Sequence, residues 1–171
     1  GLGTCMQRAD GLDARLAGAV MSIQAFKSVE IGLGRAVAER CGSEVHDPIT
    51  WDADRKDTAA RGWNRTSNRA GGIEGGMTNG MPLVARFGIK PIPTMVTPLP
   101  SVDLDTGEEV LSHFERSDVC QAPPACVVGE AMVALTLADA FMEKFGGDSI
   151  SETRYNLEGY IKTVGPRKIY Q

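Results

Sequence analysis

Between Asn68 and Gly80 the chain reads Asn-Arg-Ala-Gly-Gly-Ile-Glu-Gly-Gly-Met-Thr-Asn-Gly, five glycines in thirteen residues. Glycine loses more conformational freedom on ordering than any other residue and lends no side chain to a core, so this run is no ordinary helix or central strand. It suits main chain shaped for close approach to an anion, a planar cofactor ring or another backbone. A mobile surface loop fits the composition equally well. If a flat ring is the neighbour, a Cβ at Gly75 or Gly76 would collide with it.

The flanking sequence has the makings of a single globular domain, with 171 residues of which 42% are apolar. A net charge of −4 gives no basic field, which argues against nucleic acid or an anionic membrane surface as partners. The longest apolar runs, around Ala131 to Ala138, read as too short and interrupted to cross a bilayer, and no signal peptide is recognisable; the expectation is a soluble, cytoplasmic protein. Cys5, Cys41, Cys120 and Cys126 lack CxxC spacing and are expected as free thiols, while His46 and His113 lie in no zinc-binding pattern, so no metal is expected. The opening Gly1-Leu-Gly-Thr-Cys5 lacks an initiator Met, and the expectation is a chain that begins inside a longer protein.

Leu12, Leu16, Val20 and Ile23 recur at helical spacing and predict a helix over Leu12 to Gln24, with Asp10 or Gly11 at its N-cap. A strand follows over Phe26 to Ile31 and stops at Gly32-Leu-Gly34. From Arg35 to Arg69 the chain is polar and reads as a long lid, binding loop or disordered excursion. Pro82 to Ile89 predicts a strand, and the proline-rich piece to Pro100 an extended segment. Asp105-Thr-Gly107 predicts a hairpin turn with Val110 to Phe114 as return strand. The strongest helix runs from Pro123 or Pro124 to the stop at Gly146-Gly147, and a polar tail with Tyr155, Tyr160 and Tyr170 follows. Helices and hairpins without βαβ alternation predict an α+β fold with an antiparallel sheet packed against helices.

Four places besides the glycines can carry chemistry. Lys90 with the rigid Pro91-Ile92-Pro93 frame and the Thr94 hydroxyl suits a phosphate or a polarised carbonyl, though a lone lysine at a strand end is more often simply solvated. Arg116-Ser-Asp118 brings a guanidinium and a carboxylate to one connection, either as an anion clamp beside a proton acceptor or as a surface salt bridge; residue types alone favour the salt bridge. Glu130 is a buried acid or, more commonly for a helical glutamate, an exposed one. The Gln24 amide, with Ala25, can read the edge of a heterocycle.

Taken in order, Leu12 to Ala17, Met21 to Gly32, Ser67 to Gly80, Lys90 to Thr94, and Arg116 to Cys120 with Glu130-Ala-Met132 resemble the C-terminal signatures of the chorismate synthase family. The resemblance covers residues 1 to about 145 and implies a core over 1–145 with a tail over 146–171. It implies a lyase of the shikimate pathway, in aromatic amino acid biosynthesis, that converts 5-enolpyruvylshikimate 3-phosphate to chorismate and phosphate by 1,4-elimination with reduced FMN; NADP is associated with some members. By position it implies that Gln24, Ala25, Gly75, Lys90, Pro91, Ile92, Pro93, Thr94 and Arg116 line the flavin. Arg116 would also favour the anionic substrate, and Asp118 would help move the substrate proton by way of the flavin. The implied architecture is one half of a pseudo-symmetric β-α-β sandwich in a homotetramer. The family's N-terminal half, with two histidines and several arginines matched by neither His46 nor His113, would be a missing partner, so the chain is expected to be inactive alone. The alternative is a folding or assembly fragment that binds no flavin. Gln24 stands where many relatives have Asn.

Overall fold

The helix Leu12–Met21 (α1) forms because Leu12, Leu16 and Val20 fall on one stripe, and all three are at most 1% exposed. Its N-cap is Gly11, which offers no side-chain cap; instead the Leu12 amide donates to the Gly76 carbonyl at 2.8 Å. A computed structural model of the chain describes residues 1–56, 58, 60 and 62–163.

After α1 the strand Phe26–Ile31 (β1) begins. The next stretch is no bare loop: a 3₁₀ segment over Gly34–Glu39, the short helix Gly42–Val45 (α2), and the strands Ile49–Trp51 (β2) and Trp63–Arg65 (β3) build a small ribbon in which Trp51 faces Trp63. The expected long excursion is thereby corrected. Cross-strand aromatic and β-branched pairs hold such ribbons, and strands of three residues are too short to show a period in sequence. The glycine run follows as the hairpin Ile73–Glu74 (β4) and Met77–Thr78 (β5). Its turn, Gly75-Gly76, has φ of 59° and 78°, positive at both central positions as a type I′ turn requires.

The strand Ala85–Ile89 (β6) returns antiparallel to β1 from Ile31↔Ala85 to Phe26↔Ile89, with an irregularity between Phe26 and Ser28. Strands Pro100–Val102 (β7) and Glu109–Leu111 (β8) form an exposed ribbon, with the return strand shorter and earlier than the predicted Val110 to Phe114. The helices Ala122–Phe145 (α3) and Ile150–Thr163 (α4) complete the described chain. Among the described residues strand pairing is antiparallel, in four two-stranded ribbons of which β1–β6 and β4–β5 pack against α1, an α+β fold. Of the tail, α4 docks on α3 through the Asn156 amide, which donates to the Phe145 and Gly146 carbonyls, and through Tyr160 set edge-on to Phe145; Tyr170 lies outside the described residues.

Two small cores lie at the two ends of α1. Leu12, Leu16, Ile73 and Ala140 make one; Val20, Phe26 and Ala125 make the other, with Phe87 stacked on Phe26 at 4.2 Å. Helix α3 spans both. Arg15 fastens it to α1 by ion pairs to Asp139 and Glu143, one turn apart on α3. Hydrogen bonding to Glu143, ahead of an opposing push from burial, raises the Arg15 pKa above its ordinary value. With 24 residues, about 36 Å of helix, α3 is long and apolar enough to cross a bilayer, longer than the apolar stretch apparent in sequence.

Gly129 of α3 is buried over the Phe87 ring, where an added Cβ would stand 3.0 Å from a ring carbon. Gly129→Leu should therefore destabilise the fold by about 2 kcal/mol, read as a lower midpoint in thermal unfolding; an unchanged midpoint would mean that α3 does not rest on β6 through this position.

Candidate functional site

The β1–β6 ladder ends in a turn that departs from ordinary backbone. Ala25 has φ of 66°, the one non-glycine residue with positive φ among the described residues, and its carbonyl accepts the Lys90 N–H at 2.7 Å. The left-handed conformation costs an alanine about 1 kcal/mol, and such outliers gather at functional sites. Gln24 and Ala25 are exposed beside exposed Lys90. Pro91 and Pro93 then carry the chain away without donating amide hydrogens. Thr94, half-buried, places its hydroxyl 3.1 Å from the Ser117 hydroxyl. Through that contact the structure brings together Gln24-Ala25, Lys90 to Thr94 and Arg116 to Asp118 at one end of the β1–β6 pair.

Arg116 and Asp118 are both exposed, and no ion pair joins them among the described residues, against the salt bridge that residue types alone favour. Residues two apart on extended chain share a face, so their spacing permits an ion pair that the structure does not form. Glu130 is exposed on α3, the bland alternative for a helical glutamate.

Gly75 stands elsewhere. Its hairpin caps the N-terminus of α1 while Gln24 follows the C-terminus, so ten residues of helix, about 15 Å, separate them within one chain. There Gly75, Gly76, Cys5, Arg8, Asp13 and Ile31 help to line an open cavity of about 630 Å³. An added Cβ at Gly75 would meet nothing within 4 Å, whereas at Gly76 it would lie 2.4 Å from the Thr4 carbonyl oxygen and at Gly71 2.4 Å from the Gly32 nitrogen. Most of the run's close approach is thus to this chain's own backbone, and Gly75 is free to face something outside it.

Two structural anchors of the glycine run are missed by the sequence reading. Asp47 reaches from the Arg35 to Arg69 stretch to accept from the Ser67 hydroxyl and from the amides of Arg69 and Ala70, at 2.8 and 2.9 Å. Burial pushes its pKa up, but the Ser67 hydroxyl, the Ala70 and Arg69 amides and the Arg69 charge outweigh burial and hold the carboxyl below its ordinary 3.8. Arg65, its side chain 12% exposed, pairs with Glu74 at the foot of the glycine turn. The Asp47-Pro48 step was the available signal for a turn, without naming its partners.

The chorismate synthase family model matches residues 1–142. Over 165 residues the chain is 57% identical to the chorismate synthase of Geobacter sulfurreducens, covering 96% of this chain and 42% of that relative. It is 51% identical over 164 residues to the chorismate synthase of Aquifex aeolicus, covering 96% and 40%. A crystal structure of chorismate synthase superposes with a TM-score of 0.74 at 44% identity, over 95% of this chain and 39% of that one. The chain belongs to the chorismate synthase family. It spans about two fifths of the length of the curated relatives it matches.

Two measurements check this geometry. Because the folded pKa of Asp47 is depressed, its contribution is full above its ordinary value near 3.8 and is lost as pH falls through the lower folded value. Asp47→Ala should lower stability at pH 7 by about 1–2 kcal/mol and flatten the acid limb of the unfolding midpoint; an acid limb identical to wild type would remove Asp47 as its source. At Gly75, positive φ alone makes Gly75→Ala cost about 1 kcal/mol and Gly75→Asn less, measured by denaturant unfolding; equal, negligible losses in both would contradict the type I′ turn.

Proposed function

We propose that this chain forms one wall of the active site of a cytoplasmic carbon–oxygen lyase that converts 5-enolpyruvylshikimate 3-phosphate to chorismate and phosphate by 1,4-elimination, working with reduced FMN. The observation that carries this reading is the meeting of Gln24-Ala25, Lys90 to Thr94 and Arg116 to Asp118 at one end of the β1–β6 pair in a member of this family. In this reading residues 1–145 are the core unit and 146–171 a tail.

The residues suit a flavin and an anionic substrate. Lys90 and Arg116 are exposed cations with no ion-pair partner among the described residues, as a phosphate-bearing group requires. Pro91, Ile92 and Pro93 present rigid apolar surface, and the Gln24 amide, the Ala25 main chain and the Thr94 hydroxyl offer polar contacts to the edge of a ring. Since the elimination leaves no net redox change, bound reduced flavin would supply electron density that is afterwards returned. Arg116 holds negative charge of the substrate near the reacting region. Asp118, unpaired and one residue beyond Ser117, takes up a proton once closure of the site excludes water. Gly75 belongs to the same flavin set, about a helix length from Gln24, a span that an extended flavin nucleotide can bridge, and the assembled protein is a homotetramer.

The remaining parts of the site belong to the rest of the full-length protein, a histidine- and arginine-bearing N-terminal half, and this chain alone is inactive. A second reading, a non-catalytic folding or assembly unit, draws on the exposed apolar side chains of α3, with Val127 and Leu135 at 69% and 65% exposure.

Titration with FMN distinguishes the two. The retained half-site predicts measurable binding that weakens at least about fivefold in Lys90→Ala and in Arg116→Ala, whereas no binding by the unaltered chain favours the assembly unit. Incubation of the chain with reduced FMN and 5-enolpyruvylshikimate 3-phosphate should yield no chorismate; turnover would show that the other half is dispensable.

A further inference from the structure

From Lys90 to Pro124 no residue is buried, so packing against the body of the protein does not determine how the two roots of this arm face one another. Hydrogen bonds do. The ladder pairs Pro100 with Leu111, Ser101 with Val110 and Val102 with Glu109. Toward the tip, the Asp103 amide donates to the Glu108 carbonyl in the same register. Toward the root, the Ser112 amide donates to the Leu99 carbonyl, and the Leu99 amide donates to the Ser112 hydroxyl at 3.0 Å, again one step outward on both strands. Six residues back from Pro100 and six forward from Leu111 stand Thr94 and Ser117, whose hydroxyls are 3.1 Å apart. The Thr94–Ser117 contact thus falls in the register of the ribbon, across a stretch where Pro93 and Pro98 lack the amide hydrogens that a continuous backbone ladder needs. Serine and threonine hydroxyls make two of the contacts across the arm, Ser112 to the Leu99 amide and Thr94 to Ser117.

We propose that Ser117 is a positioning residue: through its hydroxyl bond to Thr94 it closes the root of the 90–124 arm and sets Lys90 to Thr94 opposite Arg116 and Asp118. The inference rests on the flavin-site reading for its functional consequence, but the register role stands on the arm's own hydrogen bonds. A hydroxyl pair acts here because it is the last in-register bond before the two strands part, one toward β6 and the other toward α3. Methyl for hydroxyl at either position leaves the roots without a link, and the site's cations and carboxylate then sample many relative placements.

The test uses the whole chain. In Ser117→Ala, hydrogen exchange at the amides of Leu99 and Ser112 should quicken about fivefold, while the Asp103 and Gly107 amides in the tip keep their rates; Ser117→Thr should restore the wild-type pattern. FMN affinity should fall about fivefold in Ser117→Ala, recover in Ser117→Thr, and show no further loss when Ser117→Ala is added to Thr94→Val. Unchanged exchange at Leu99 and Ser112, or flavin losses that simply add in the double variant, would overturn the proposal. If the unaltered chain binds no FMN, the flavin-site reading fails, and the exchange pattern still decides whether Ser117 sets the register.

Discussion

Backbone resting on backbone at the glycine run is the contact on which the rest of this structure depends. Gly71 lies so close to Gly32, at the end of β1, that a side chain on either would strike main chain, and Gly76 lies equally close to Thr4 while its carbonyl caps the first amide of α1. One short segment thus sets where the helix starts and where the strand ends. The spacing between α1 and β1 follows, and with it the two small cores at either end of the helix. Asp47 and Arg65 hold the run from outside by charged hydrogen bonds, which tolerate a segment with almost no side chains of its own.

That clasp lies at one end of α1, and the candidate chemistry gathers at the other. The β1–β6 pair links them: its register delivers Lys90 to the carbonyl of Ala25, and a left-handed alanine turns that carbonyl to meet it. Beyond this point the site is built from exposed chain, with proline supplying stiffness and hydroxyl groups supplying register. Lys90, Arg116 and Asp118 there are exposed, with no ion-pair partner among the described residues. Helix α3, 24 residues long, leaves apolar side chains such as Val127 and Leu135 exposed.

Much of this was readable without coordinates where a period or a strong breaker was present. Leu12, Leu16 and Val20 announce α1, and Phe26 to Ile31 bounded by Gly32 announces β1 with the observed ends. The proline pair and the Gly146-Gly147 stop frame α3. The stretch from Arg35 to Arg69 was not readable, because its order comes from single long-range partners: Trp51 on Trp63, and Asp47 on the amides of Arg69 and Ala70. Arg116 and Asp118 illustrate the same limit. Proximity in sequence suggests an ion pair, but both side chains stand exposed and none joins them among the described residues.

By itself the sequence determined the local conformations that side-chain period, glycine and proline dictate, and it carried the ordered signatures by which the family is recognised. Tertiary structure alone decided which of those signatures meet. Gly75 and Lys90 look like members of one set along the chain, yet α1 holds them a helix length apart, while Thr94 and Ser117, unremarkable as residues, are brought to hydrogen-bonding distance. The physical reason is that a helix or turn is set by neighbours a few residues away, whereas a site is set by how rigid elements pack, and packing depends on contacts that no local spacing records.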